Sequence, residues 1–288
     1  MKSINKICFL LVLISISLFV LSSCDSYDAT PEEYFTYIVT VDKTATITGY
    51  IGNEQSVRVP RKIKGHTVTA IGKNAFKDND LIVTVTLPDS VTSIEDRAFY
   101  GCSNLLIITM PKVTHIGRFA FFLCTRLTSV ALADGLTTIE DDAFNNCWSL
   151  SYIYLPNSLV SIGDSAFYRC NLKDVVLPPN VRTIGSNAFY ECSNLKSITL
   201  PDGLTTLGEW AFSYCSSLSA ITIPAALTRI GDWAFRGCTS LTMVSIQGSM
   251  TSIGTRAFDD CAENLTIHGE PGSAAEAYAR ENGINFAN

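Results

Sequence analysis

The strongest constraint on the fold of this chain is a repeat. The dipeptide Ala-Phe recurs nine times at steps of 22 or 23 residues, with its Phe at positions 76, 99, 121, 144, 167, 189, 212, 235 and 258. One clear copy reads "IGSNAFYECSNLKSITLPDGLTT", residues 184–206. A single unit of this length cannot enclose a core, whereas stacked units bury equivalent side chains in continuous rows. The sequence therefore predicts a solenoid in which each repeat forms one rung.

Each unit is typical of strands and turns rather than helices. The segment "LKSITL", residues 195–200, alternates and is rich in β-branched residues, which favours a short strand ending before Pro201. Residues 204–207 form a second extended piece, and Gly185 and its equivalents are expected at a tight bend. The A-F-x-x-C segment predicts a turn with Phe pointing inward. The predicted fold class is a β-rich solenoid of nine repeats of 22–23 residues.

The segments on either side of the repeats predict caps. Residues 34–66 are interpreted as an N-terminal cap built on a β-hairpin that turns at Asp42-Lys43, and residues 67–268 as the repeats. Residues 269–288 form a C-terminal cap with a short helix from Ala274 to Asn282. Ser273 is placed to cap the start of that helix, and Gly283 to end it.

Eight cysteines share one position of the repeat, three residues after its Phe. No CxxC pair occurs and no histidine shares the frame, so a row of sulfurs does not converge as a zinc site requires, and we expect no metal. Stacked side chains run parallel at about 4.8 Å, wider than the usual Cβ separation of a disulfide. We therefore predict free buried thiols in a structural row that also includes Asn79 of the first repeat: Cys102, Cys124, Cys147, Cys170, Cys192, Cys215, Cys238 and Cys261.

The N-terminus carries a targeting pattern. Lys2 and Lys6 precede the apolar run 7–21, which has the length of a signal-peptide core rather than a membrane span. The following "LSSC" resembles the bacterial lipobox, which implies cleavage after a signal peptide of residues 1–23 and a lipid on Cys24. Ordinary secretion with an incidental Cys24 is the alternative. Residues 24–33, which are acidic, are interpreted as a solvated tether.

Charge and the residues after Cys24 bear on partners and location. The net charge is −6 and no basic run is present, so we expect no nucleic-acid partner. Acidic residues behind the cysteine resemble export signals of some surface lipoproteins, whereas Asp25 directly after it resembles an inner-membrane retention signal. The sequence leaves both open within a lipid-anchored envelope protein, for which we expect the outer membrane or the cell surface.

The repeat pattern also resembles a known family. The pattern A-F-x-x-C-x-x-L-x-x-I-x-L-P, over about residues 57–268, resembles the BspA-type leucine-rich repeat of bacterial surface proteins. The resemblance implies a leucine-rich-repeat solenoid with a parallel sheet of short strands, and a role in adhesion or in binding proteins or glycans. The cysteine precedes the strand, unlike in the classical leucine-rich repeat, so we do not expect convex helices.

Catalytic patterns are missing from the sequence. No nucleophile elbow, Ser/His/Asp grouping or phosphate loop can be placed, so we predict a non-enzymatic protein without a cofactor. Aromatic residues at positions that vary between repeats are candidates for binding, and Trp210 and Trp233 on adjacent rungs suggest stacking on a sugar. Alternatively, such residues only cover the edge of the solenoid. We expect a monomer that binds a protein or glycan, or else an envelope spacer or assembly factor without a dedicated ligand; the candidate residues are Phe119, Tyr152, Tyr154, Tyr190, Trp210 and Trp233.

Overall fold

A computed structural model describes residues 29–248 and 250–288. The predicted signal peptide and the lipidation candidate Cys24 lie outside the described residues. Within the described ranges, no helix has the length and apolar character needed to cross a membrane.

Two rows of mainly parallel strands run along the solenoid, each divided into three hydrogen-bonded sheets, and each repeat contributes one short strand to each row. We call the first the wide sheet, because most of its strands have three residues. Its eleven strands are Ser56–Arg58, Thr84–Thr86, Ile107–Thr109, Ser129–Ala131, Tyr152–Tyr154, Asp174–Val176, Ser197–Thr199, Ala220–Ile223, Met243–Ile246, Thr266–His268 and Asn285–Ala287.

The second sheet, called the narrow sheet, follows the turn after each wide strand. Its N-terminal end is the hairpin of Phe35–Val39 and Ala45–Tyr50, which pairs with the strand His66–Ile71. A further short strand, Lys62–Ile63, pairs antiparallel with His66–Ile71. The remaining strands are Ser93–Ile94, His115–Ile116, Thr138–Ile139, Ser161–Ile162, Thr183–Ile184, Thr206–Leu207, Arg229–Ile230 and Ser252–Ile253.

The third side of the solenoid consists of the Ala-Phe turns, and we call it the turn face. Its backbone alternates between bonds within a turn and bonds to the next rung, as where Phe99 N–H donates to the carbonyl of Ala120 at 2.8 Å. This geometry places the residues two before and two after each Phe in the left-handed region, with φ between 53° and 60° at the non-glycine positions. The predicted turn with an inward Phe is confirmed.

The repeat phenylalanines form one continuous stack through the core. All nine are buried, and successive ring centroids lie 4.9–5.6 Å apart. Tyr50 of the hairpin covers one end at 5.6 Å from Phe76. Tyr278 of the C-terminal helix covers the other end, edge-on at 5.9 Å from Phe258. The two caps therefore close the same row of rings that the repeats build.

The repeat glycines serve a purpose other than the expected one. A tight bend was expected at Gly185 and its equivalents; these glycines have no positive φ, and the positive φ values lie beside the phenylalanines. At Gly117 an added Cβ would lie 2.6 Å from the backbone nitrogen of Asp96 on the preceding rung. At the rungs that carry glycine, successive backbones approach too closely for a side chain without a local shift, whereas Glu95 and Glu140 occupy the same position on other rungs.

The caps agree with the prediction, and the solenoid is longer than the nine repeats. The hairpin turns through residues 40–44, and the helix spans Ala274–Glu281, with the Ser273 hydroxyl accepting from the Glu276 amide and Gly283 at φ 67°. Two additional strands of the wide sheet, 56–58 and 285–287, bring the solenoid to about eleven turns. Neither follows an Ala-Phe pair, so the repeat count alone did not include them.

Folded structure begins before residue 34. Thr30 is only 5% exposed, and its amide donates to the carbonyl of Arg58 at 3.0 Å, while its hydroxyl accepts from the Arg58 amide at 2.9 Å. The short 3₁₀ helix Glu32–Tyr34 follows, and Glu32 pairs with Lys64 at 2.8 Å. The last residues of the segment interpreted as a tether therefore lie along the edge of the first wide strand, where their backbone satisfies groups that the sheet leaves unpaired.

Candidate functional site

The row of cysteines lies inside the solenoid and is held by the backbone. All eight are free thiols, and each Sγ donates to the carbonyl of the repeat Phe on the preceding rung at 3.0–3.3 Å. Asn79 occupies the same position in the first repeat, where its side-chain oxygen accepts from the amides of Leu81 and Ile82 instead. The position thus provides a hydrogen-bonding group for buried backbone on every rung.

Burial also makes these thiols chemically inert. Loss of solvent raises the pKa of Cys102 and of Cys192 to about 12, and raises the pKa of the other thiols in the same direction. Because the thiolate is the reactive form, a neutral buried thiol is a poor nucleophile and a poor metal ligand. Among the described residues, no group of three or more His, Cys, Asp or Glu side chains is placed to hold a metal.

We expect the mature protein, with Cys24 acylated, to titrate eight thiols when it is denatured without reductant. The native protein should react slowly, beginning at the partly exposed Cys261, because the other seven are buried. The measurement is a thiol count with a chromogenic disulfide before and after adding denaturant. A count near zero in the denatured sample would mean that the row is oxidised to disulfides.

Three of the aromatic candidates meet on the turn face. Trp210 and Trp233 stack at 4.7 Å with an interplanar angle of 15°, and Tyr190 lies 6.3 Å from Trp210. Tyr190 also stacks on Tyr168 at 4.8 Å, and burial is the main cause that raises its pKa. The guanidinium of Arg236 lies 6.0 Å from the Trp210 ring. These half-buried rings form one cluster across four rungs.

The tryptophan pair is built into the wall of the solenoid. Both residues are in the left-handed region, with φ of 60° and 53°, a conformation that is unfavourable for bulky side chains. Asn74 and Asn187 occupy the same position on other rungs and tolerate it better. The two indoles stack on each other at 4.7 Å, so each leaves one ring face toward its neighbour and one away from it.

Phe119 shares the position of the tryptophans but lies four rungs away from Trp210. It packs edge-on against Phe122 at 5.8 Å, and the guanidinium of Arg97 lies 5.2 Å from its ring. The structure therefore separates Phe119 from the Trp210 cluster. The two groups do not form a common site.

Tyr152 and Tyr154 lie on a different surface, the outward face of the wide sheet. They are in register with Ser129 and Ala131 of the neighbouring strand, and Ser129 is in register with Ile107 on the other side. Small side chains on the central strand, between larger ones on both sides, leave a groove of about 450 Å³. Its walls are two strand spacings apart, about 9.6 Å.

The ends of the groove follow from the turns of the repeat. Met110 and Pro111 lie at the end of one wall, at the turn of one of the two repeats that are one residue short. Asp134 lies beside the floor strand. The lining is therefore mostly apolar with one carboxylate at the edge. A second, more polar depression of about 310 Å³ lies farther along the same sheet and includes Thr199, Thr222 and Gln247.

Sequence reasoning identified the tyrosine wall but missed the groove. Tyr152 and Tyr154 stand out because the other wide strands named above carry no tyrosine, phenylalanine or tryptophan at these two positions, which is a signal visible in one strand. The groove needs three consecutive strands to be compared, because Ser129 and Ala131 matter only through being smaller than their neighbours. The exposed Ile107 was missed for the same reason.

Comparisons with known proteins agree with the fold. The family profile described as "BspA type Leucine rich repeat region" matches residues 58–173 and 160–272, with six copies. A leucine-rich repeat protein of T. pallidum is 29% identical, with a TM-score of 0.52, and the alignment covers 90% of this chain and 98% of that one. A leucine-rich cell surface protein of Faecalibacterium prausnitzii A2-165 is 24% identical over 92% and 96% of the two chains, with a TM-score of 0.44. No curated protein matches the chain.

Proposed function

Because the chain belongs to the BspA-type leucine-rich repeat family, we propose that it is a non-catalytic binding protein that presents its wide sheet to a protein or glycan. The observation that carries this proposal is the groove bounded by Tyr152, Tyr154 and Ile107. Apolar depressions with aromatic walls are the usual sites at which binding energy concentrates. We further propose that the protein is anchored in the bacterial envelope through a lipid on Cys24.

The dimensions and lining of the groove support a ligand that lies along the strands. A width of about 9.6 Å accommodates one extended peptide segment or one sugar ring. Tyrosine offers both a flat apolar face and a hydroxyl, which suits either ligand class. Aliphatic groups of a ligand would contact Ile107 and Ala131, and a donor group at one end would meet the Asp134 carboxylate.

The test is a binding comparison between the wild-type protein and a Tyr152→Ser, Tyr154→Thr variant. This change copies the outward pair Ser197 and Thr199 of another rung, so the solenoid is expected to fold normally. A glycan and matrix-protein array identifies the ligand, and a titration measures its Kd. Loss of one aromatic anchor typically costs about 2 kcal/mol or more, so we expect binding to weaken by at least about 30-fold.

Two controls separate the groove from the rest of the surface. Met243→Ser removes an exposed side chain from a distant strand of the same sheet and should leave binding unchanged. The second control replaces both tryptophans, Trp210→Asn and Trp233→Asn, with the asparagine that Asn74 and Asn187 provide at the same position of other rungs. If this second variant loses the ligand and the tyrosine variant keeps it, the turn face is the site. An array without any hit would favour the spacer role.

A further inference from the structure

The N-terminal end of the solenoid exposes an unusual amount of apolar surface. Ten large hydrophobic side chains are exposed among the described residues. Four of them lie between residues 38 and 51, in the first turns of the solenoid: Ile38, Val39, Val41 and Ile51. Val41, at the tip of the hairpin, is 98% exposed. Isolated exposed valines are common, but such a concentration at one end of a rod marks a surface that meets something apolar.

The folded residues at the same end carry the opposite net charge from the remainder of the protein, which Asp25 and Asp28 of the linker to Cys24 offset. Residues 29–73 contain six basic and four acidic side chains, whereas residues 74–288 contain thirteen basic and 21 acidic ones. Lys43 lies in the hairpin turn near Val41, and Arg61 and Lys62 are exposed at the start of the short strand Lys62–Ile63. Exposed apolar tips flanked by Lys43, Arg61 and Lys62 are complementary to an anionic lipid surface.

The chain length outside the folded part fixes which end can reach a membrane. Thr30 is bound to Arg58 on the first wide strand, so only residues 25–29 separate the folded rungs from Cys24. However those five residues are arranged, they span at most about 20 Å. Eleven rungs extend over roughly 50 Å. A lipid on Cys24 therefore keeps the hairpin end near the bilayer, while the far rungs cannot reach it by the same tether.

We propose that the N-terminal hairpin is a lipid-contacting surface, with Val41 and Ile38 entering the interface of an anionic bilayer and Lys43 and Lys62 meeting lipid phosphates. This inference rests on the lipid anchor proposed for Cys24. Contact at the hairpin would fix the direction in which the solenoid leaves the membrane. The groove on the wide sheet begins two strands beyond the first wide strand. It would therefore lie outside the lipid headgroups, at a fixed distance from the bilayer surface.

A single fluorescent label tests the proposal. The variant is acylated protein that carries Val41→Cys and Cys261→Ala. The cysteine introduced at position 41 can be labelled selectively with an environment-sensitive dye, because the remaining thiols of the cysteine row are buried. The labelled protein is reconstituted into vesicles containing phosphatidylglycerol. We expect a blue shift of the emission and strong quenching by brominated acyl chains. The matched control is Met243→Cys, exposed on a distant strand, which should show neither effect.

The outcomes distinguish the anchor from the docking surface. Flotation with vesicles, lost in Cys24→Ser, reports the anchor independently of the label. If the protein floats with vesicles but the label at position 41 keeps the emission of a dye in water, the hairpin contact is overturned and the anchor is retained. Absence of flotation would overturn both. A blue shift that occurs without vesicles and grows with protein concentration would also overturn the proposal, because it identifies a second copy as the partner.

Discussion

The protein is expected to lose its stability steeply as the pH rises above about 9. Seven thiols are fully buried and neutral, and burial raises their pKa, to about 12 for Cys102 and Cys192. In the unfolded chain these thiols return to the ordinary value of 9.0. Above that pH the unfolded state holds fewer protons than the folded state, so the free energy of unfolding falls as the pH rises. The stabilising contribution of the buried thiols is complete only below the unfolded-state pKa.

The size of this effect follows from the number of thiols. One pKa unit of difference corresponds to about 1.4 kcal/mol per group, so seven groups together approach a slope of about 10 kcal/mol per pH unit. Since domains of this kind are stable by about 5–15 kcal/mol, unfolding should be complete within one to two units above the ordinary thiol pKa. Urea unfolding measured at a series of pH values gives the slope directly.

A variant with fewer thiols isolates their contribution from that of lysine and tyrosine. Cys147→Ala, Cys170→Ala and Cys192→Ala together remove three of the seven buried thiols, so the slope should fall by about three sevenths. We compare the slopes of the free energy of unfolding against pH. Small cavities left by the substitutions lower stability equally at every pH, so they do not change this slope. An unaltered slope in the triple variant would show that other groups cause the alkaline unfolding.

Truncating one ring of the phenylalanine stack is expected to be strongly destabilising. Phe144 is fully buried, and its ring lies 5.1 Å from Phe121 and 5.6 Å from Phe167. Phe144→Ala removes the contacts on both faces and leaves a cavity that the regular backbone cannot close, so we expect a loss of about 3–5 kcal/mol. Chemical denaturation of the two proteins measures the difference.

The chain supplies its own control for this substitution. Phe122 directly follows the repeat Phe121 but lies half-buried on the turn face, where it stacks on Tyr100 at 5.0 Å. Phe122→Ala deletes the same side chain outside the core and should cost much less. Equal losses in Phe122→Ala and Phe144→Ala would contradict the view that the inner stack carries the stability of the solenoid.

The rows of the core could be predicted because the solenoid imposes the same environment on every rung. Phe144 has the same neighbours as Phe167, so one residue type satisfies all copies and appears as a period in the sequence. The caps were predictable for a different reason, because Ser273 and Gly283 are local signals of helix ends. The free thiols followed from geometry, since a row of parallel side chains suits hydrogen bonds to the next backbone better than disulfides.

Features that depend on differences between rungs, or on single contacts, were not predictable. Thr30 looks like part of a solvated segment, and only its bonds to Arg58 show that it closes the sheet edge. The groove depends on the size of Ser129 relative to its neighbours on two other rungs, and no single repeat contains that information. The mutual stacking of the two tryptophan rings could not be read from residue type either, and their binding of a sugar stays a prediction.

Each rung bonds to its immediate neighbours at equivalent positions, as Val85 does with Ile108 and Val175 with Ile198. A recombination event that copies or deletes one whole unit therefore leaves every remaining rung with interior neighbours of the same kind. The gene can lengthen or shorten in steps of one repeat without redesigning the interior. Outward residues such as Tyr152 are then free to diverge in the copies, so lineages of this architecture can inherit stability while exchanging what they recognise.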